Sequence, residues 1–571
     1  MKPSKLLYAI LLSLGATSAL AQGPIFSTRD VHHPILGQNG MVATQHPEAT
    51  RVGLEVLRAG GNAIDAAVAV GFSLAVVLPR AGNLGGGGFM LVHDAQSQQT
   101  QAINYREMAP RRSTRDMYLD EKGEVDREQI NASYRAVGVP GTVAGLALAL
   151  EEYGSLSLAE VLQPAIQLAE RGFPISHDLA QLLRRYEDRL RSWPHTAAIF
   201  YPGAEQFYEA GDTLRQPDLA WSLRQIATAG PAAFYRGAIA QKLRDDMRAN
   251  DGLVDLADLK AYRAELLEPQ WGTYRGYRIA SMPPPSSGGI HLIQLLNILE
   301  AFPLGYLEHN SAETIHLMVE AMKLAYADRS AHLGDPNFWE VPATGLTSKA
   351  YAERLRSRID RLQTRPSEQI APGRPQDYES EETTHYSVAD AQGNVVSNTY
   401  TLNFSFGTGI VAAGTGILLN NEMSDFSAKP GVPNDYGLLG GEANAVAAGK
   451  RPLSSMTPTL VLKDGRVLLA TGSPGGSRII TTVLQILLNV IDHGMNIAEA
   501  SHAPRIHHQW YPDVLFYERG IGYDTRVLLR QRNHHLRERN AMGSTQSILL
   551  RDGWLYGASD PRRPDGTTRG F

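Results

Sequence analysis

An α+β fold with more than one folding unit follows from three features of the sequence. Apolar residues recur at helical spacing through 48–59, 63–77 and much of 141–263. Two segments with strand patterning, 385–390 and 394–403, flank the turn Ala391-Gln392-Gly393 and read as a hairpin. The 571 residues also exceed what one ordinary core accommodates. A hydrophobic content of 43%, a charged content of 20% and 54 glycines describe a globular chain rich in turns. The formal net charge of -5 tells against a nucleic-acid partner, which calls for a basic surface. With no cysteine, disulfides, Cys-zinc sites and thiol catalysis are excluded.

Taken in order, the chain opens on an expected signal peptide, residues 1–21. Lys2 and Lys5 form its basic start, 6–14 its apolar stretch, and Ala19-Leu20-Ala21 a small-residue cleavage site. The apolar run is too short to span a bilayer, so the expectation is periplasmic or secreted residence with no membrane anchor. Residues 41–43 read as a strand, and Pro47 suits the first turn of the helix that follows. Gly60-Gly61 ends that helix and Asn62 starts the next. The run Gly82 to Gly88 lacks a following Gly-Lys-Ser/Thr, so close backbone approach before strand 89–93 is expected rather than a phosphate cradle. Arg106 leaves the end of the next strand, where a guanidinium can grip a carboxylate through two parallel hydrogen bonds. Residues 282–289 open a helical run, 290–299, and should bring a loop and a helix N-terminus towards the site.

The stretch Glu382-Thr383-Thr384-His385 stands where the polar connection 361–382, expected to be an exposed loop, gives way to the hairpin. If Asp390 pairs with Asn394, the register sets Thr383 opposite Thr401. A threonine hydroxyl is a poor nucleophile, but at a chain terminus its own α-amine, with a pKa near ~8, can take the proton. A break in the loop would create such a terminus; the local residues leave Thr383 and Thr384 both open as its first residue. Polar groups then cluster. Glu422 and Asp425 follow an expected strand at 416–419, and Ser454-Ser455 precede strand 460–463. Gly475-Gly476, between strand 467–470 and helix 479–489, can aim backbone N–H groups into an oxyanion hole. The pairs His32-His33, His507-His508 and His534-His535 do not suggest a metal site, because neighbours on a strand point to opposite faces and no His-Glu-x-x-His occurs. Neither a metal nor a cofactor is expected.

The ordered run Thr383-Thr384-His385-Tyr386-Ser387-Val388, Thr399-Tyr400-Thr401-Leu402-Asn403, Asn420-Asn421-Glu422-Met423-Ser424-Asp425, Pro452-Leu453-Ser454-Ser455-Met456 and Gly472-Ser473-Pro474-Gly475-Gly476 resembles the γ-glutamyltranspeptidases. The likeness continues upstream through Gly60 to Ala67 and Arg106-Glu107-Met108-Ala109-Pro110, and downstream to Ser559-Asp560-Pro561-Arg562. It implies an N-terminal nucleophile hydrolase fold, an αββα sandwich of two stacked antiparallel sheets flanked by helices. It also implies autoprocessing between Glu382 and Thr383, giving a large subunit, 22–382, and a small subunit, 383–571, that stay associated as a heterodimer. The resemblance selects Thr383 as nucleophile, Thr401 as its hydroxyl partner, and Gly475 and Gly476 as oxyanion donors. Arg106, Ser454 and Ser455 match the carboxylate-binding positions; Asn403, Glu422 and Asp425 match those that hold the ammonium group. Residues 428–441 resemble a lid, with Tyr436 as its aromatic latch. The implied reaction cleaves glutathione and other γ-glutamyl compounds through an ester on Thr383, passing the acyl group to water, an amino acid or a peptide. A cephalosporin or glutaryl acylase of the same fold is the alternative, and an unprocessed periplasmic binding protein a more distant one.

Overall fold

The computed structural model describes residues 30–371, 383–432 and 440–571. The expected signal peptide, Glu382 and the latch Tyr436 lie outside the described residues. Among those residues, fourteen strands build two seven-stranded sheets. The strands upstream of Thr383 are β1 (Ile35–Gly37), β2 (Gly40–Thr44), β3 (Gly87–Asp94), β4 (Gln99–Tyr105), β5 (Glu265–Leu267), β6 (Gln270–Tyr274) and β7 (Tyr277–Ser281). Those after it are β8 (Thr384–Asp390), β9 (Val395–Thr401), β10 (Thr459–Lys463), β11 (Arg466–Thr471), β12 (Gln546–Arg551), β13 (Trp554–Ser559) and β14 (Thr567–Gly570). One sheet runs β14-β2-β8-β9-β3-β4-β5 and the other β1-β13-β12-β11-β10-β7-β6, every pair antiparallel.

The strand period explains the layering. Met41 and Ala43 of β2 and Phe89 and Leu91 of β3 point at the other sheet and share a core with Leu460, Ala470 and Ile548. Their neighbours Val42, Met90 and Val92 point the opposite way, into a second core with helices α1 (Pro47–Arg58), α2 (Ala63–Val77) and α3 (Thr142–Tyr153). On the far side, α4 (Gly288–Leu299) packs on β6 and β7, with α5 (Ala312–His332) and α6 (Arg478–Ile491) against it. The molecule is thus an αββα sandwich, as expected. Asn62 starts α2 by a reciprocal cap: its side chain accepts from Ile64 and Asp65 N–H, and Asp65 accepts from Asn62 N–H.

The hairpin has the expected register. Asp390 N–H donates to Asn394 O (3.1 Å), and the ladder runs from Ala389 opposite Val395 to Thr384 opposite Tyr400. Gly86 lies against this hairpin's open end, where a Cβ would strike the carbonyl of Thr401, so the glycine run does serve close backbone approach.

Two expectations change. Residues 416–419 form no continuous strand; Leu418 and Leu419 make single bridges to Val411 and Gly85. Gly414 and Gly416, both at positive φ, turn the backbone too sharply for a ladder. The connection 361–382 is not exposed throughout its described part either. Ser367 and Ile370 are buried, and Ser367 is held by Asp513 and Trp510 (2.9 and 2.5 Å).

Candidate active site

Where β8 starts and β9 ends, Thr383 and Thr401 face each other across the hairpin mouth. Thr383 Oγ1 lies 3.4 Å from Thr401 Oγ1, and Asn403 N–H donates to Thr401 Oγ1 (2.8 Å). Thr383 is buried but borders a cavity that Thr401, Asn403, Arg106, Glu422, Asp425, Ser454, Ser455 and Gly476 also line. Eight expected side-chain positions therefore converge with one of the two glycines.

Arg106 follows directly on β4 and is wholly buried. Its guanidinium pairs with Glu422 through Nη1 and with Asp425 through Nη2, while Nε donates to Pro452 O (3.2 Å). Glu422 and Asp425 reach it together because 422–425 is a 3-10 turn, whose three-residue period puts positions i and i+3 on one side. Burial pushes both carboxyls above their ordinary range, against the pull of Arg106. Asn403, at a φ of 75°, donates from Nδ2 to Asn421 O (3.1 Å) and Ser424 Oγ (2.8 Å). Both bonds use the amide nitrogen, which points the acceptor end of the side chain at other partners.

The 282–289 loop lies at the site, as expected, and there it braces the serine pair. Ser287 donates to Ser454 O through its N–H and its hydroxyl (2.8 and 2.7 Å), and Ser454 N–H donates to Pro285 O (2.9 Å). Ser455 Oγ accepts from Arg329 Nη2 (2.8 Å), and Arg329 Nε donates to Ser287 Oγ (2.9 Å). Arg329 is the charged cavity residue that sequence reasoning missed. It sits inside α5, a helix buried nearly all round, and carries no local signal; only packing against the loop turns it towards the cavity.

Gly475 and Gly476 precede α6, with φ of 131° and 57°. Gly476 borders the cavity and Gly475 does not. At 131° a side chain is strained, so Gly475 is the one residue type that fits the turn without cost. Ser473, just ahead, accepts from Ser544 N–H (2.9 Å), tying the turn to the segment that leads into β12.

His316, Glu320 and His534 come close enough to one another to hold a metal. Their atoms are already engaged: His316 Nδ1 lies 2.8 Å from His534 Nε2, and Glu320 lies 3.4 Å from the Lys323 ammonium. His507 and His508 do face apart, towards Thr481 and Asp513. Among the described residues, no helix is long and apolar enough to cross a membrane.

A family model described as Gamma-glutamyltranspeptidase matches residues 49–569. The chain is 53% identical over 570 residues to the glutathione hydrolase proenzyme of Escherichia coli, covering 99% of this chain and 98% of that one. It is 42% identical over 544 residues to an acylase proenzyme of a Pseudomonas species, covering 94% of each. Among solved structures, a cephalosporin acylase from Bacillus halodurans superposes with a TM-score of 0.85 at 30% identity, over 96% of this chain and 98% of that one.

Proposed function

The chain belongs to the gamma-glutamyltranspeptidase family, and from that premise we propose that it cleaves glutathione and other γ-glutamyl compounds through an ester on Thr383. The precursor cuts itself between Glu382 and Thr383, and the new α-amine of Thr383 takes the proton of its own hydroxyl. Oγ1 attacks the γ-carbonyl, the amine leaves, and water or an acceptor amino acid or peptide takes the acyl group from the ester. Thr401 orients the nucleophile, while Gly475 and Gly476 N–H groups stabilise the oxyanion. Arg106, Ser454 and Ser455 hold the α-carboxylate; Asn403, Glu422 and Asp425 hold the α-ammonium group. The two chains, 22–382 and 383–571, remain a heterodimer, and the protein works in the periplasm.

One observation carries this reading: the facing hydroxyls of Thr383 and Thr401 share a cavity with two arginines, two carboxylates and a serine pair. The acylase relatives make glutaryl cleavage the second reading. A glutaryl group lacks the ammonium that the buried Glu422 and Asp425 suit, so the glutamyl reading is preferred.

Denaturing electrophoresis tests it. Purified protein should give bands of about 39 and 21 kDa, at the mean residue mass implied by 62.3 kDa over 571 residues. Thr383→Ala should give one uncut band and no hydrolysis of a γ-glutamyl anilide. A Thr383→Ala protein that still cuts itself would overturn the assignment.

A further inference from the structure

Glu107 is a buried carboxyl that the mechanism above does not use. It follows Arg106, is wholly buried, and no N–H or O–H of another residue donates to either of its carboxyl oxygens; the same is true of Glu422 Oε2. Arg106 Nη1 lies 3.6 Å from Glu107 Oε2 and also pairs with Glu422, so a single guanidinium nitrogen faces both carboxyls. Each carboxyl acts on the other, and beyond the effect of burial the charge of Glu107 raises the Glu422 carboxyl across the shared guanidinium nitrogen. As ionised groups both are acceptors and neither can serve the other; one proton between them makes a hydrogen bond and removes one buried charge.

We propose that Glu107 and Glu422 share one proton in the ligand-free enzyme, and that the ammonium group of a γ-glutamyl ligand expels it to solvent on binding. The inference rests on the glutamyl reading of the site and adds Glu107 to it as a positioning residue.

The surroundings leave the pair little alternative. Three carboxyls, Glu107, Glu422 and Asp425, surround Arg106, and the other cation acting on them is Arg329, whose charge reaches Asp425 from α5. The start of β3 offers Glu107 only Gly87, where a Cβ would come 2.7 Å from its carboxyl, and Gly138 lies beside its Cβ. Tyr105, Tyr235 and Tyr262 act on it from the remaining sides, and burial keeps all three hydroxyls protonated at neutral pH. Arg451 turns away, donating to the carbonyl of Arg106 and to Tyr262 Oη (3.1 Å). Burial raises the Glu107 carboxyl to about 7 against the opposing pull of Arg106.

The sign of the effect follows. Below the pair's titration the proton occupies the place of the ligand's positive charge, and binding must release it. Above it both carboxyls are ionised and the ammonium docks without proton release. Donor KM should therefore fall by up to about tenfold per pH unit as pH rises towards the pair's titration and flatten beyond it, whereas kcat follows the Thr383 amine.

Isothermal titration of the processed enzyme with L-glutamate, in two buffers of unlike ionisation enthalpy, counts the protons directly. Across a pH series, close to one proton should be released at the lower pH, on the acid side of the pair's titration, and close to none on its alkaline side. Glu107→Gln and Glu422→Gln should each bind L-glutamate with no release at the lower pH. Equal heats in both buffers for the unmodified enzyme at that pH, or a release that persists in both variants, would overturn the shared proton. If L-glutamate gives no binding heat at either pH, the glutamyl reading itself fails, and this inference with it.

Discussion

Asp425 is the residue that most sharply separates a glutamyl site from a glutaryl one. It is the more solvent-facing of the two carboxyls on Arg106, and it borders the cavity. A charge-assisted contact to the ligand's ammonium group contributes about 1.5–3 kcal/mol. Asp425→Ala should therefore lower kcat/KM on a γ-glutamyl anilide by roughly 10- to 100-fold. Thr384, next to the proposed nucleophile, is buried on the opposite side of β8, and its hydroxyl bonds to no protein group. Thr384→Ala should change kcat/KM far less. Equal losses in the two variants would remove Asp425 from the ammonium site. Period-two alternation makes this contrast: adjacent strand residues share sequence context and point into different environments.

At the scale of elements, the helices and the hairpin obey local rules that can be tested apart from chemistry. The reciprocal cap between Asn62 and Asp65 closes the start of α2, and Asp65 further accepts from Ser155 and Leu156 N–H (2.8 and 3.0 Å). Asn62→Ala removes the side-chain acceptor for two N–H groups. It should cost about 1 kcal/mol, read as a lower urea midpoint, with kcat/KM unchanged. A midpoint equal to that of the unmodified protein would show that water caps the helix as well as Asn62 does. Much of this level was legible in advance. Asn62 announced a helix start, and the tight turn at 391–393 set the register that brings Thr383 opposite Thr401. Residues 416–419 misled because four apolar-rich residues resemble a strand, whereas the positive φ at Gly414 and Gly416 is a property of the packed loop.

Across the whole molecule, strands from upstream and downstream of Thr383 interleave. In the sheet β14-β2-β8-β9-β3-β4-β5, β2 from the upstream chain lies between β14 and β8 from the downstream chain. The proposed cut before Thr383 would leave every one of these ladders intact, which would hold the two resulting chains together. The same burial that stabilises the sandwich makes it sensitive to acid. Burial holds His46 and His385 at about 3 and His508 at about 4, whereas an unfolded histidine takes its proton near ~6.5. Between those values the unfolded chain binds more protons than the folded one. The stability these rings allow is thus complete above ~6.5 and declines as pH falls towards the folded values, on the order of 1 kcal/mol per ring per pH unit. Tm should drop between about pH 7 and pH 5; a constant Tm over that window would mean that the rings are already protonated in the fold.

The sequence by itself determined the hairpin register, the α+β class, the family and the set of residues that meet around Thr383. Those depend on short-range periodicity, turn chemistry and ordered motifs, all of which are written locally. Tertiary structure alone decided that Arg329 braces Ser455 from the middle of α5, that Ser367 is moored rather than exposed, and that Glu107 and Glu422 crowd one guanidinium nitrogen. Each of these joins segments far apart in the chain, and the strength of a buried charge is set by what surrounds it in space. Arg106 shows both sides: its motif marked it as a carboxylate clamp, and only the fold reveals the three carboxyls that already surround it.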